Sequence, residues 1–587
     1  MTKLSPGAPS KKRTTVALLV GCMAALAFAS VYLMFVVFDY EISQWGARRM
    51  SADSETCAHA CRETKIDKLA VGALAESSEP VAYIVGSSQV LKEITPGHCV
   101  CVRAAVPVAD LPVNTSAYQP IPGWPSDSLM IDLVLQSSKY DDGDEDPLYA
   151  NSRVTVSVNM QPAFKPQQNA RVRVYEGTAQ LFDPGVYEVD ARIEQRNGQW
   201  NAEPGDETPP YTETLMKTTL PLGSSESQVR VLRDVKHPSY LRRHQNLPLC
   251  KSGSAAGRWI PEANLPRSWK AWQYMFPAED GRVWLPYSCR LRRISHAEFV
   301  FHMSRSHSSV HWYGDSNSRR TLRPFMMGGK WCHQANTTTR LDCLCNDAPK
   351  DLFPSEWYPN MPVPHWYRIH NLGVDSDEVY ADLRQRPLMP TDPRPIMDKD
   401  PSDTGFGPGF VPPGYGLRKD YFDLYYLFTR GTLDMYGSYW ERDITRHQVS
   451  QYRPADLVVV QLITWDVCFG KYSQFTSQVN RLVKRLRHVY PKAEFVYRTG
   501  PYWCCRSPED QTKKYSRLRF VAFDAYARNA FQKGLGARVW DVSGPQSQRP
   551  PESKRRPENM PCRSAHSRSE HIHLDNQLFM NMIVNSL

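Results

Sequence analysis

The sequence predicts a membrane anchor followed by two folded parts, a β-sandwich and then a three-layer α/β domain built on a parallel sheet. Three observations carry this reading. An uncharged apolar run stands near the front, the period of hydrophobicity is two between about 81 and 235, and short apolar strands alternate with helical stretches beyond about 296. The 587 residues, 41% of them apolar, include 15 Trp and 29 Tyr, a composition of folded domains and not of a disordered chain.

Lys11, Lys12 and Arg13 precede a run from Thr14 to Phe38 that holds no charge, and Asp39 and Glu41 follow it. A helix needs about 20 such residues to cross a hydrocarbon core. A cleaved leader has a shorter apolar stretch that ends in small residues, whereas this one ends in Phe35, Val36, Val37 and Phe38. The basic flank stays on the cytoplasmic side, so residues 14–38 are expected to sit in the lipid bilayer as a signal anchor. Residues 1–13 form the cytoplasmic tail, 39–80 a stem, and the rest faces the lumen of the secretory pathway. Cys22 lies in the run, and an oxidising lumen lets the other thirteen cysteines form disulfides whose pairing sequence does not give. The odd number leaves at least one unpaired or intermolecular. Cys57/Cys61 and Cys343/Cys345 are spaced like ligand pairs, but no matching second pair completes a zinc site, and no metal is expected. Asn114 and Asn336 begin N-glycosylation sequons, in keeping with a lumenal face.

Residues 81–240 read as the sandwich. In 183–194 an Asp-Pro-Gly turn leads into a strand that alternates Tyr187, Val189, Ala191 and Ile193 with Val186, Glu188, Asp190 and Arg192. The acidic run 141–146 lacks the spacing of a calcium loop and reads as a solvated loop. A Cys-containing junction, 241–295, follows. From 296 the strands SVHWY (309–313), DLVVVQLI (456–463), AEFVYRTG (493–500) and ARVWDV (537–542) are mostly apolar enough to be covered on both faces, as in a parallel sheet. In 477–490, Val479, Leu482, Val483 and Leu486 make the stripe of a helix with one covered face. A Pro- and Gly-rich insertion, 383–418, is a surface excursion. The net charge of +10 is spread along the chain, so nucleic acid is not an expected partner.

WYGDSNSRR, 312–320, places Ser316 where a strand turns into a helix, at the edge of the sheet where open α/β folds bind ligands. Unpaired N–H groups of a first helical turn stabilise charge developing on an attacked carbonyl oxygen. Arg319, three residues on, would brace the loop. The plainer reading makes Ser316 a helix cap and Asp315 a solvated turn residue. A serine needs a base, and the tail from 562 supplies His566, His571 and His573 ahead of a terminal helix with Leu578, Phe579, Met582 and Ile583 on one stripe.

NLPLC (246–250), HWYGDSNSRR (311–320), VVVQLITWD (458–466) and the tail from His566 through Asn576-Gln577-Leu578, taken in order, resemble the neurexophilin and PC-esterase domain family. That family is a branch of the SGNH (GDSL)-like hydrolase superfamily. The resemblance implies an immunoglobulin-like β domain before an SGNH-like one. It implies Ser316 as nucleophile with its backbone N–H as one oxyanion donor, and His566 as base. Gly328 or the adjacent Gly329 is a candidate second donor. The position three before the histidine, an aspartate in many relatives, is Arg563 here, so Asp541 or Glu570 would have to orient the imidazole. Near Trp465-Asp466 relatives commonly carry an Asn, and no polar role is assigned there. The implied activity is transfer of an O-acyl group, acetyl above all, to or from a glycan. No cofactor is bound. As a transferase the protein would draw on acetyl-CoA or an acetyl ester, with a separate acetyl-donor transporter. The alternative is an esterase fold that has lost catalysis and serves as a binding module.

Overall fold

The computed structural model describes residues 57, 60–61, 80–85, 92–107, 126–136, 152–156, 158–160, 172–198, 214–215, 228–232, 244, 247–265, 282–326, 365–370, 420–436, 454–501, 517–548 and 569–586. The expected anchor 14–38, the insertion 383–418, both sequons, Gly328, Gly329, Arg563 and His566 lie outside them. Among the described residues no helix is long and apolar enough to cross a membrane.

Among the described residues ten strands come first along the chain: β1 Val81–Ile84, β2 Lys92–Ile94, β3 His98–Pro107, β4 Ser126–Leu135, β5 Arg153–Val156, β6 Val158–Met160, β7 Val172–Leu181, β8 Gly185–Gly198, β9 Thr214–Leu215 and β10 Gln228–Val231. They make two sheets, β1-β3-β7-β6 and β2-β10-β8-β4-β5, with β9 on β8. Period-two alternation decides which side chains enter the core between them. On β8, Tyr187, Val189, Ala191 and Ile193 are buried, and the residues between them are half-buried. Leu129, Ile131, Leu133 and Leu135 of β4 meet them from the neighbouring strand.

A two-stranded ribbon follows, β11 Gly257–Pro261 against β12 Arg282–Pro286. Its two faces serve two cores. Ile260, Val283 and Leu285 join the sandwich core, while Trp259 and Trp284 join the core of the α/β part. Cys250 and Cys289 close this junction with a disulfide. Cys57, Cys61, Cys99 and Cys101 are disulfide-bonded as well, which takes the Cys57/Cys61 pair out of metal chemistry. Cys468 is a buried thiol outside any disulfide.

The second sheet system comprises β13 Ser309–Gly314, β14 His365–His370, β15 Tyr421–Phe428, β16 Leu457–Gln461, β17 Glu494–Arg498 and β18 Arg538–Trp540. Its order is β14-β15-β13-β16-β17-β18, all parallel except the edge strand β14. Helices α1 His296–Ser306, α2 Ser316–Met326, α3 Thr464–Phe469, α4 Tyr472–Val489, α5 Arg517–Leu535, α6 Ser543–Ser547 and α7 Ser569–Val584 accompany it. Alternate strand residues face opposite layers. Trp312, Val459 and Val496 pack with α1, α2 and α7, whereas Tyr313, Val458, Val460 and Tyr497 pack with α4 and α5. That makes three layers with both sheet faces covered, which is why the strands carry so few polar residues.

Helix α7 is buried from Ile572 to Val584. Its polar residues survive burial by pairing with backbone. Gln577 exchanges hydrogen bonds of 2.9 Å with the N–H and the carbonyl of Ile294, and Asn581 does the same for Arg292 at 3.0 and 2.8 Å. The side chains at i and i+4 thus read one extended stretch of chain.

Candidate active site

The parallel strands in chain order are β13, β15, β16, β17 and β18, and in space β15 and β16 flank β13. The chain winds one way from β13 to β15 and the other way from β16 onwards. This reversal leaves a crevice beyond the carboxyl ends of β13 and β16, the place where open α/β sheets bind ligands. Ser316 begins α2 directly after β13.

The turn before it is held from all sides. Asp315, only 2% exposed, caps the helix: its Oδ1 accepts from the Asn317 N–H at 2.8 Å, and its carbonyl accepts from the Arg319 N–H at 3.1 Å. Asp315 is therefore no solvated turn residue, and the capping group is not Ser316. Gly314 is required by close approach, because a β-carbon there would run into the Ser318 hydroxyl and press on Gln461. From β15 the Tyr426 hydroxyl donates to the Gly314 and Asp315 carbonyls at 3.2 and 3.1 Å. Arg319 is buried, with its guanidinium carbon 5.7 Å from the Phe428 ring centre.

Beneath the turn runs a buried polar network. Gln461, at the end of β16, donates from Nε2 to Asp315 Oδ1 at 2.9 Å, and its Oε1 accepts from the Ser318 hydroxyl and from Arg498 Nη1. Arg498, at the end of β17, also donates from Nη2 to Thr321 Oγ1 at 3.0 Å and to Asp575 Oδ2 at 3.3 Å. Its guanidinium carbon lies 5.0 Å from the centre of the Trp540 ring. Asn576 of α7 donates to the Thr321 carbonyl at 3.0 Å. The C-terminal helix is thereby tied to the helix that begins with Ser316. Burial pushes the Asp315 carboxyl above its ordinary range, against the pull of Thr464, the Asn317 N–H and Arg498. Burial likewise pushes Asp575 up to about 7 although Arg498 lies against it.

Across the crevice, β16 leads into α3 through Ile463, which holds a φ of 87° and is the only non-glycine residue with positive φ among those described. A β-branched residue resists that conformation, and it persists only where its surroundings fix it. Asp466 supplies the constraint. Its Oδ2 accepts from the Ile463 N–H at 3.1 Å, and its Oδ1 accepts from the Thr432 N–H and hydroxyl. The acidic residue at this point thus shapes the turn.

Asp541 follows β18. Its Oδ1 accepts from the Ser543 N–H and hydroxyl, the Gly544 N–H and the Thr499 hydroxyl, and its Oδ2 accepts from Arg528 at 3.2 Å. Burial works to raise its pKa, but Arg528 and the Gly544 and Ser543 donors together hold it below the ordinary carboxylate range. Its carboxylate organises the start of α6. Glu570 falls in the first turn of α7, and His571 and His573 follow it, with the His571 ring 6.2 Å from Trp259. The described residues bring Asp315, Ser316 and Arg319 together; His566 and Gly328 lie outside them.

Sequence reasoning missed Gln461, Arg498 and Asp575. Gln461 carried a signal, a polar residue in an otherwise apolar strand, a place a side chain tolerates only with partners.

No family model matches the chain, and no curated protein matches it. Among solved structures it is similar to an active-site mutant of a family two carbohydrate esterase from Clostridium thermocellum, with 11% identity, 84% of this chain and 92% of that chain covered, and a TM-score of 0.22. It is similar also to a carbohydrate esterase family 2 enzyme with a carbohydrate-binding domain from Corynascus thermopiles (Myceliophthora fergusii), with 11% identity, 86% and 99% covered, and a TM-score of 0.20. Likeness at this level leaves the reading of the site to its own geometry.

Proposed function

We propose that the protein is an O-acyl transferase or esterase, acetyl-specific and acting on glycans, with Ser316 as nucleophile and His566 as general base. The observation that carries the reading is the setting of Ser316: a half-buried hydroxyl on the first residue of a helix, at the chain reversal of a parallel sheet, in a turn whose other residues are buried. In the reaction, Ser316 Oγ attacks the ester carbonyl while His566 takes its proton. The tetrahedral oxyanion rests on the Ser316 N–H and a donor from Gly328. The ester C–O bond then breaks, the leaving alcohol takes the proton from His566, and an acyl-serine remains. Attack by water makes the protein an esterase, and attack by a sugar hydroxyl makes it a transferase.

This reading includes membership of the neurexophilin and PC-esterase domain family, with an immunoglobulin-like sandwich. Residues 14–38 would be the anchor, the folded part would lie in the lumen of the Golgi, and acetyl-CoA or an acetyl ester would be the donor, the former brought in by a transporter. One observation favours a second reading. Asp541 is engaged by Arg528 and the start of α6, and Arg563 stands where many relatives carry an aspartate, so a domain without the carboxylate behind its histidine would serve as a binding or interaction module without turnover.

Intact mass of the full chain in detergent, after exposure to an activated acetyl ester, tests the proposal against the Ser316→Ala variant. One acetyl adduct on the wild type alone supports it. No adduct on either protein transfers the weight to the binding module.

A further inference from the structure

Between residues 311 and 319 every residue is buried except Ser316, and between 461 and 468 every residue is buried except Trp465. These two stretches are the turns that follow the adjacent parallel strands β13 and β16. The register pairs Tyr313 with Val460, and past it Gln461 at the end of β16 bonds Asp315 and Ser318, the residues on either side of the Ser316 position. Ser316 and Trp465 are thus the half-buried residues of two turns that follow neighbouring parallel strands.

A half-buried indole is ordinary by itself, but this one sits on the turn that follows the strand next to β13 and is stacked on a second half-buried ring. Trp465 belongs to neither hydrophobic core of the α/β part. It lies over Phe469, one helical turn on and also half-buried, with ring centres 5.5 Å apart and planes inclined by 34°. The turn that presents it is rigid: Ile463 is held at positive φ by the Asp466 carboxylate, which Thr432 also grips. Fixed, flat and uncharged, such a surface suits a ring with an apolar face and a polar rim. A pyranose has that shape, with C–H bonds on its faces and hydroxyls around its edge, and the indole's π face attracts the polarised C–H bonds.

We propose that Trp465, backed by Phe469, is the stacking platform for the pyranose whose ester Ser316 forms or cleaves. The proposal rests on the acyl-serine reading and adds to it the residue that selects a sugar over other alcohols. The ring lies on Trp465 and directs one of its oxygens toward Ser316.

The test compares two esters with the same acyl group, a mono-acetylated methyl pyranoside and vinyl acetate, in wild type, Trp465→Ala, Trp465→Leu and Trp465→Phe. The readout is the ratio of kcat/KM for the sugar ester to that for vinyl acetate. That ratio should fall at least ten-fold in the Ala and Leu variants, chiefly through KM, and return to within about three-fold of wild type with Phe. Leu keeps the apolar bulk and guards against a folding defect in the Ala variant. An unchanged ratio, whether both activities drop together or neither moves, overturns the platform while leaving the nucleophile in place. A wild type that turns over neither ester, with Ser316 unlabelled by a serine-directed fluorophosphonate, overturns the acyl-serine reading and the platform with it.

Discussion

Arg498 and Asp575 face each other at 3.3 Å with both side chains wholly shut off from solvent, one at the end of β17 and the other within the C-terminal helix. A buried pair of this kind is weak evidence of net stability but strong evidence of interdependence, because either partner alone is an uncompensated charge. Above pH 7, where Asp575 is ionised, Arg498→Met should therefore cost about 3–5 kcal/mol, and adding Asp575→Leu should recover most of that loss. Urea denaturation of the single and double variants checks it; a single variant within about 1 kcal/mol of wild type contradicts the pairing.

The raised carboxyl of Asp575 has a pH signature. Its folded-state value of about 7 lies above the ordinary 3.8, so the folded state holds a proton that the unfolded chain has released. Its contribution is complete below about 4 and is lost as pH rises through 7, at up to about 1.4 kcal/mol per pH unit. Arg498, Asp541 and Gln546 face this carboxyl. Asp575→Asn should gain in melting temperature relative to wild type as pH climbs from 5 to 8, and parallel curves would refute the assignment.

His244 should act with the opposite sign. Burial, then Arg258 and Arg290, depress it to about 3, so the folded state refuses a proton that the unfolded chain accepts below about 6.5. Stability is lost as pH falls from 6.5 toward 3. His244→Gln should flatten this acid limb, again by up to about 1.4 kcal/mol per pH unit. Thermal melts at pH 6.5, 5.5 and 4.5 measure the difference.

Gly314→Ala adds one methyl where the Ser318 hydroxyl and Gln461 already press. Overpacking of this kind costs about 1–3 kcal/mol, and here the strain falls on the residue two before Ser316. The variant should label with a fluorophosphonate at least ten-fold more slowly than wild type. Normal labelling with normal stability would mean the turn yields freely.

Reducing the junction should matter as well. The Cys250–Cys289 bridge spans 39 residues, and replacing both cysteines by Ala should lower stability by about 2–4 kcal/mol. A melt unchanged by reductant would show that the ribbon holds without it.

Much of the architecture could be read from residues alone. Alternation around Tyr187 and Ile193 marks a half-buried strand, and the run Leu457–Val460 marks a strand covered twice, because each pattern has one physical solution. Around Ser316 the change from SVHWY to a helical segment locates the strand-to-helix turn. The site's foundations were harder to see. Asp315 looks like surface in a Gly-Asp-Ser turn, yet it is buried, since its partner Gln461 from β16 meets it only in three dimensions. Tyr421–Phe428 becomes the second parallel strand beside β13, after a Pro-rich stretch that hides which strand it joins. The 250–289 pairing depends on the ribbon bringing distant cysteines together, which spacing does not encode.

The ribbon of β11 and β12 also limits how the molecule can be divided. A boundary drawn before it leaves the sandwich without Ile260, Val283 and Leu285, and a boundary drawn after it strips Trp259 and Trp284 from the α/β part. Neither fragment closes its own interior. Any attempt to express the α/β part without the sandwich, or to swap the sandwich for another module, must carry the ribbon twice or redesign one of its faces.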